Sequence, residues 1–186
     1  MVHLEKYIRS TVQIGEELDD ILSYFEPRQV KKDRHLVCEG QIMDVYYFIL
    51  SGGLRVYFNH EEKEVTAWLS FESDWLVDIA CIRTGRPTIY NIHAIEDTEV
   101  VSIKAKHMDA LYQKYPKWQE LGRKLWERAF LEVVEGMIRH QTMSAEERYL
   151  HFMQQSDLLQ KVPLKQLSSF LGITPSSLSR LRKNIK

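Results

Sequence analysis

Toward its C-terminus the chain gathers hydroxyls and cations at helical spacing: Thr174, Ser176, Ser177, Ser179, Arg180 and Lys183, with Lys165 in the segment before. Side chains of these types on one face can hydrogen-bond base edges and phosphates in a DNA major groove. Arg180 has the planar fork that pairs bidentately with guanine. Charge supports the same chemistry. From Leu158 to Lys186 there are six basic residues and no acidic ones, while the rest of the chain carries 19 Lys and Arg against 26 Asp and Glu. A basic tail on an acidic body suits a segment that meets phosphates. The alternative is a solvated basic terminus, because Lys and Arg also favour the last turn of any helix.

The elements that would position this face are legible nearby. Pro163 is predicted at the first position of a short helix, where a missing N–H costs nothing. Leu164, Leu167, Phe170 and Leu171 then share one side. Small Ser168 admits a crossing helix, and Gly172 supplies the positive φ of a sharp turn. Ile173 plugs the corner and Thr174 caps a second helix with Pro175 at its first position. Leu178, Leu181 and Ile185 form that helix's inner side. The result is a predicted helix-turn-helix.

Upstream, Ser144-Ala-Glu-Glu147 is a capping box, opening a helix through Tyr149, Leu150, Phe152 and Met153. Residues 117–143 form a longer helix. Its apolar stripe, from Trp118 and Leu121 through Trp126, Phe130, Val133, Met137 and Ile138, is too wide for one seam. One side is expected to cover a neighbouring domain and the other to pair with a second subunit; packing wholly within the monomer stays open. Short amphipathic helices precede Pro27. From about Arg28 to Lys104 the period falls to two, with Gly- and Asp-containing turns, which predicts a small β-sandwich or jelly roll. Within it Val65, Ala67 and Leu69 alternate with Glu64, Thr66 and Trp68.

A length of 186 residues and a hydrophobic fraction of 44% allow a real core. No apolar leader or span-length run is present, so a soluble cytoplasmic protein without membrane contact is expected. Cys38 and Cys81 are then expected as reduced thiols. Seven scattered histidines, with no His-x-His and no Cys-x-x-Cys, give no metal site.

Jelly roll, long helix, then helix-turn-helix resembles the Crp/Fnr family of bacterial transcription regulators. The likeness rests on Lys31-Lys-Asp-Arg-His-Leu-Val-Cys-Glu-Gly40 and Asp44-Val-Tyr-Tyr-Phe-Ile-Leu-Ser-Gly52, which look like the family's opening strands. Ser144-Ala-Glu-Glu-Arg-Tyr149 and Leu171-Gly-Ile-Thr-Pro-Ser-Ser-Leu-Ser-Arg180 are similar to a branch common in Bacteroidetes-type bacteria. The resemblance implies an α+β chain in three parts. Residues 1–116 would be a cyclic-nucleotide-binding-like sensor with flanking helices, 117–143 a dimerisation helix, and 144–186 a helix-turn-helix domain lacking the family's β-hairpin wing.

It also implies an effector pocket, whose positions here read Val77, Asp78 and Ile79, then Thr88 and Ile89 before Tyr90. Family members that bind cyclic nucleotides have a Gly-Glu-Leu turn and an Arg-Ser/Thr-Ala element there. A valine replaces the glycine and a threonine the arginine that would grip the phosphate, so no high affinity for cyclic AMP is expected and the effector is unknown. Two cysteines also fall short of an iron–sulfur ligand set. The implied partners are double-stranded DNA, a second copy of the chain and RNA polymerase. Two other readings stand beside this one. One is a small-molecule or protein-interaction sensor that no longer binds DNA. The other is a jelly-roll enzyme such as a metal-dependent oxygenase, for which the histidines lack suitable spacing.

Overall fold

A computed structural model of the chain describes residues 1–155 and 161–184. Ile185 and Lys186, expected on the last helix, lie outside the described residues. Helices α1 (Val2–Thr11) and α2 (Glu17–Leu22) lead into eight strands: β1 (Glu26–Val30), β2 (His35–Val37), β3 (Val45–Ser51), β4 (Gly53–His60), β5 (Lys63–Phe71), β6 (Trp75–Leu76), β7 (Asn91–Ala94) and β8 (Thr98–Lys104). Helix α3 (Ile79–Thr84) lies between β6 and β7. Among the described residues five helices follow: α4 (Ala105–Lys114), α5 (Pro116–Thr142), α6 (Ala145–Gln155), α7 (Leu164–Phe170) and α8 (Pro175–Asn184).

The strands form two antiparallel sheets in the orders β1-β8-β3-β6 and β2-β7-β4-β5, the jelly roll that the period-two pattern predicts. Between them pack Val30, Leu36, Tyr47, Ile49, Leu54, Val56, Ile92 and Val100. The outer face of the first sheet is covered by helices: Leu4, Ile8, Leu18, Met108, Leu111 and Trp118 bury Tyr46, Phe48, Val101 and Ile103. Pro116 ends α4 and opens α5, its absent N–H falling where no intrahelical partner exists. Gly122 lets α5 lie close on α4, since a Cβ there would stand 2.6 Å from the Tyr112 ring.

The second sheet departs from simple alternation. Val56 pairs with Trp68 but Tyr57 pairs with Thr66, so Ala67 is an extra residue in β5. This bulge flips the phase of the strand. Leu69, expected to share a face with Val65 and Ala67, instead sits opposite Arg55 and joins Ile95, Tyr149, Val162, Leu167, Leu171 and Leu178 in a third core. The C-terminal helices therefore cover the outer face of this sheet, which is why Arg55 is buried as well as Leu54 and Val56. Pro163 also departs by one position: it holds an extended ψ of 142° and caps α7 from outside, Leu164 being the first helical residue.

Candidate functional site

The turn between α7 and α8 forms as the local sequence dictates. Gly172 has a φ of 70°, the left-handed value that ends a helix abruptly. Ser168 is buried at the crossing, Leu167, Leu171 and Leu178 fill the inside, and Ile173 packs against them. Thr174 Oγ1 accepts from the Ser177 N–H at 3.2 Å, and Pro175 opens α8. The hydroxyls of Ser176 and Ser177 each lie 2.9 Å from Thr174 Oγ1, within the cap. Arg180, Lys183 and Lys165 are exposed and Ser179 is half-buried. Preceding the turn, the capping box closes both ways: Ser144 N–H donates to Glu147 at 2.7 Å and Glu147 N–H to Ser144 Oγ at 3.2 Å. Arg148 then donates to the carbonyls of Met143 and Leu171, fastening α6 to the turn.

One joint was not legible in the sequence. Thr66 N–H, on the edge strand β5, donates to Ser169 Oγ at 2.9 Å, and Ser169 Oγ donates to the Glu64 carbonyl at 3.1 Å. Thr66 Oγ1 donates to the Gln166 carbonyl at 3.2 Å. It also accepts from Arg55 Nε at 2.9 Å, and Arg55 pairs with Glu64 at 2.7 Å. Arg55 is 3% exposed, a depth at which a guanidinium must be paired; its hydrogen bond holds the Glu64 carboxyl below the usual range. Lys161 adds an ion pair to Glu96 at 2.9 Å. An edge strand that would otherwise present bare backbone is thus closed by α7.

The second site is a cavity of about 330 Å³ between the sandwich and α5. Of the five expected pocket residues it gathers Val77, Asp78 and Thr88. Ile79 opens α3 outside the lining, and Ile89 is 59% exposed. Asp78 accepts from Cys81 N–H at 3.0 Å, capping α3, and from Thr88 Oγ1 at 2.6 Å. The remaining wall includes Met43, Trp68, Ser70, Asp74, Trp75 and Tyr90, and α5 contributes Leu125, Trp126, Arg128, Ala129, Glu132 and Val133. Burial raises the Asp74 carboxyl above its ordinary value, against the opposing hydrogen bond from Phe71 N–H. Arg128 Nε donates to Glu132 at 2.8 Å. Ser70, Asp74 and Arg128 escaped sequence reasoning, because no local pattern marks a residue as facing a distant helix.

Helix α5 exposes Trp126 and Val133, which also line the cavity, together with Phe130 and Met137, Phe130 being 69% exposed. Cys38 is exposed and Cys81 buried, both as free thiols. Among the described residues no helix is long and apolar enough to cross a membrane.

Residues 27–115 match the cyclic nucleotide-binding domain family. No curated protein is significantly similar in sequence. Solved structures are similar over most of the chain. The CooA mutant from Carboxydothermus hydrogenoformans has a TM-score of 0.70 at 19% identity, covering 91% of this chain and 80% of that one. FixK2 from Bradyrhizobium japonicum gives 0.71 at 18%, covering 87% and 84%. A transcriptional regulator of the Crp/Fnr family from Eubacterium rectale gives 0.68 at 17%, covering 92% and 83%. Residues 27–115 are therefore similar to the cyclic nucleotide-binding domain family, within a chain that shares the fold of these solved structures.

Proposed function

We propose that this chain is a sequence-specific DNA-binding transcriptional regulator, not an enzyme. In this reading it acts in the cytoplasm as a homodimer through residues 117–143, with a sensor in 1–116 and a helix-turn-helix in 144–186. What carries the reading is one combination: an exposed basic face on α8 beside an exposed apolar stripe on α5. Trp126, Phe130, Val133 and Met137 are spaced by four, three and four residues, the rhythm of a two-helix seam. Two α8 helices brought together by such a seam would enter successive major grooves about 34 Å apart and read a palindrome. Thr174, Ser176, Ser177, Ser179, Arg180, Lys183 and Lys165 would meet bases and phosphates, and a face of the dimer would meet RNA polymerase.

The cavity is the effector site in this reading, Val77, Asp78 and Thr88 forming part of its wall. Cyclic AMP is not the effector in this reading: Thr88 stands where a cation would grip the phosphate, and its hydroxyl donates to Asp78. Calorimetric titration is expected to show no sub-micromolar affinity.

Selection of the purified protein against a random double-stranded library at low salt tests the reading. A two-fold symmetric motif is expected, and sedimentation is expected to give a dimer. Absence of enrichment by a folded dimer, with and without occupancy of the cavity, would overturn the DNA role. It would favour the second reading, a sensor without DNA binding, which the fastening of α7 to β5 through Ser169 supports.

A further inference from the structure

Resting on the reading of the cavity as an effector site, we infer that it takes a small aromatic molecule carrying an amine or other N–H donor and refuses anions. The wall supplies aromatic surface from Trp68, Trp75, Trp126, Tyr7 and Tyr90. Flat rings in a site of this size favour a flat ligand by stacking and edge contacts. The same rings attract a cation through their negative faces.

The charge in the cavity is predominantly acidic. Asp74, Asp78 and Glu132 line it against a single guanidinium, and Arg128 already spends its Nε on Glu132. An incoming carboxylate or phosphate meets three acidic side chains and one guanidinium, itself paired through Nε with Glu132. An ammonium or N–H meets acceptors instead. Asp74, largely buried, is held above the ordinary carboxyl range by desolvation, which a donor placed against it would relieve.

Two polar groups are also left over. Ser70 is 1% exposed and Trp75 half-buried, both line the cavity, and Ser70 Oγ and Trp75 Nε1 have no hydrogen-bond partner among the described residues. Buried polar atoms are rarely left so unless something else fills the space. Trp75 Nε1–H can only donate, while the Ser70 hydroxyl can donate or accept. Both atoms are closed off behind the cavity wall, so pairing them with a ligand takes a shift of the side chains that cover them.

A charge series on one ring decides the matter: calorimetric titration of the full chain with tryptamine, indole and indole-3-acetate, with cyclic AMP as a second anion. Tryptamine and indole are expected to bind, and indole-3-acetate at least about tenfold more weakly than tryptamine. In A129W, which fills the α5 side of the cavity from an exposed position, tryptamine binding is expected to disappear while the melting curve holds. Asp74→Asn is expected to narrow the gap between amine and acid. An anion binding as tightly as the amine overturns the inference, as does failure of all three ring compounds, or binding that A129W leaves unchanged. A regulator that selects DNA but fails this series loses only the ligand class. A chain that passes the series but selects no DNA loses only the regulator reading.

Discussion

Replacing Ser169 with alanine should unfasten the C-terminal helices from the sandwich without unfolding either. The hydroxyl makes two bonds across the joint, accepting from Thr66 N–H and donating to the Glu64 carbonyl. A neutral hydrogen bond contributes a net ~0.5–1.5 kcal/mol, so the pair contributes about 1–3 kcal/mol at most. Ser169 is only half-buried, and water can reach the groups left behind, which places the loss at about 1–2 kcal/mol. That corresponds to roughly a 5- to 30-fold change in the open population. The apolar part of the contact, Leu69 and Ile95 against Leu167 and Leu171, stays in place, and alanine is a good helix former in α7. The assay is amide hydrogen exchange resolved by residue. Thr66 should exchange faster by that factor, while Ile92 and Val100 in the interior strands should not change. Unchanged exchange at Thr66 would refute the reasoning, and so would equal acceleration at all three amides, which reports global rather than local opening.

Three further outcomes are expected. Gly122→Ala places a Cβ 2.6 Å from the half-buried Tyr112 ring, so overpacking of about 1–3 kcal/mol should outweigh the helix-propensity gain of ~1 kcal/mol and lower the melting temperature. His93 is held below its ordinary pKa by burial and by neighbouring His35. Because the folded-state value lies below the unfolded 6.5, its contribution is present above pH 6.5 and lost as pH falls through the folded value. His93→Asn should accordingly flatten the decline in melting temperature between about pH 7 and 5. Arg180→Ala should cost about 1–3 kcal/mol in DNA affinity and relax selectivity at one base per half-site; fluorescence anisotropy on base-substituted sites at fixed salt checks it, and a loss equal on all sequences would make Arg180 a phosphate contact instead.

What was legible beforehand was mostly local. The capping box, the left-handed Gly172, the Thr174 cap and the place of Pro175 each depend on residues within about four positions, so their chemistry is written side by side in the chain. The jelly roll was legible through alternation, until Ala67: a one-residue bulge is silent in a hydrophobic pattern, yet it moved Leu69 to the opposite face. Burial of Arg55 was hidden for the same reason, since its cover arrives from α7, more than a hundred residues on. In the candidate pocket, the turn at Val77 and Asp78 could be placed by counting along the chain. Ser70 and Asp74 could not, because they become neighbours of α5 only in three dimensions.

The bulge at Ala67 has a consequence for any attempt to redesign the molecule. Ala67 and Trp68 line the cavity, whereas Thr66 and Leu69 hold the C-terminal helices. Two tasks are interleaved over four successive residues, a span of about 10–14 Å at the rise of a strand. Changes made there to alter what the cavity accepts would also alter how the C-terminal helices are held. Mutational screens should find few β5 substitutions whose effects are confined to one property, and selectivity is more readily retuned from the cavity's other walls, at Met43, Tyr90 or Ala129.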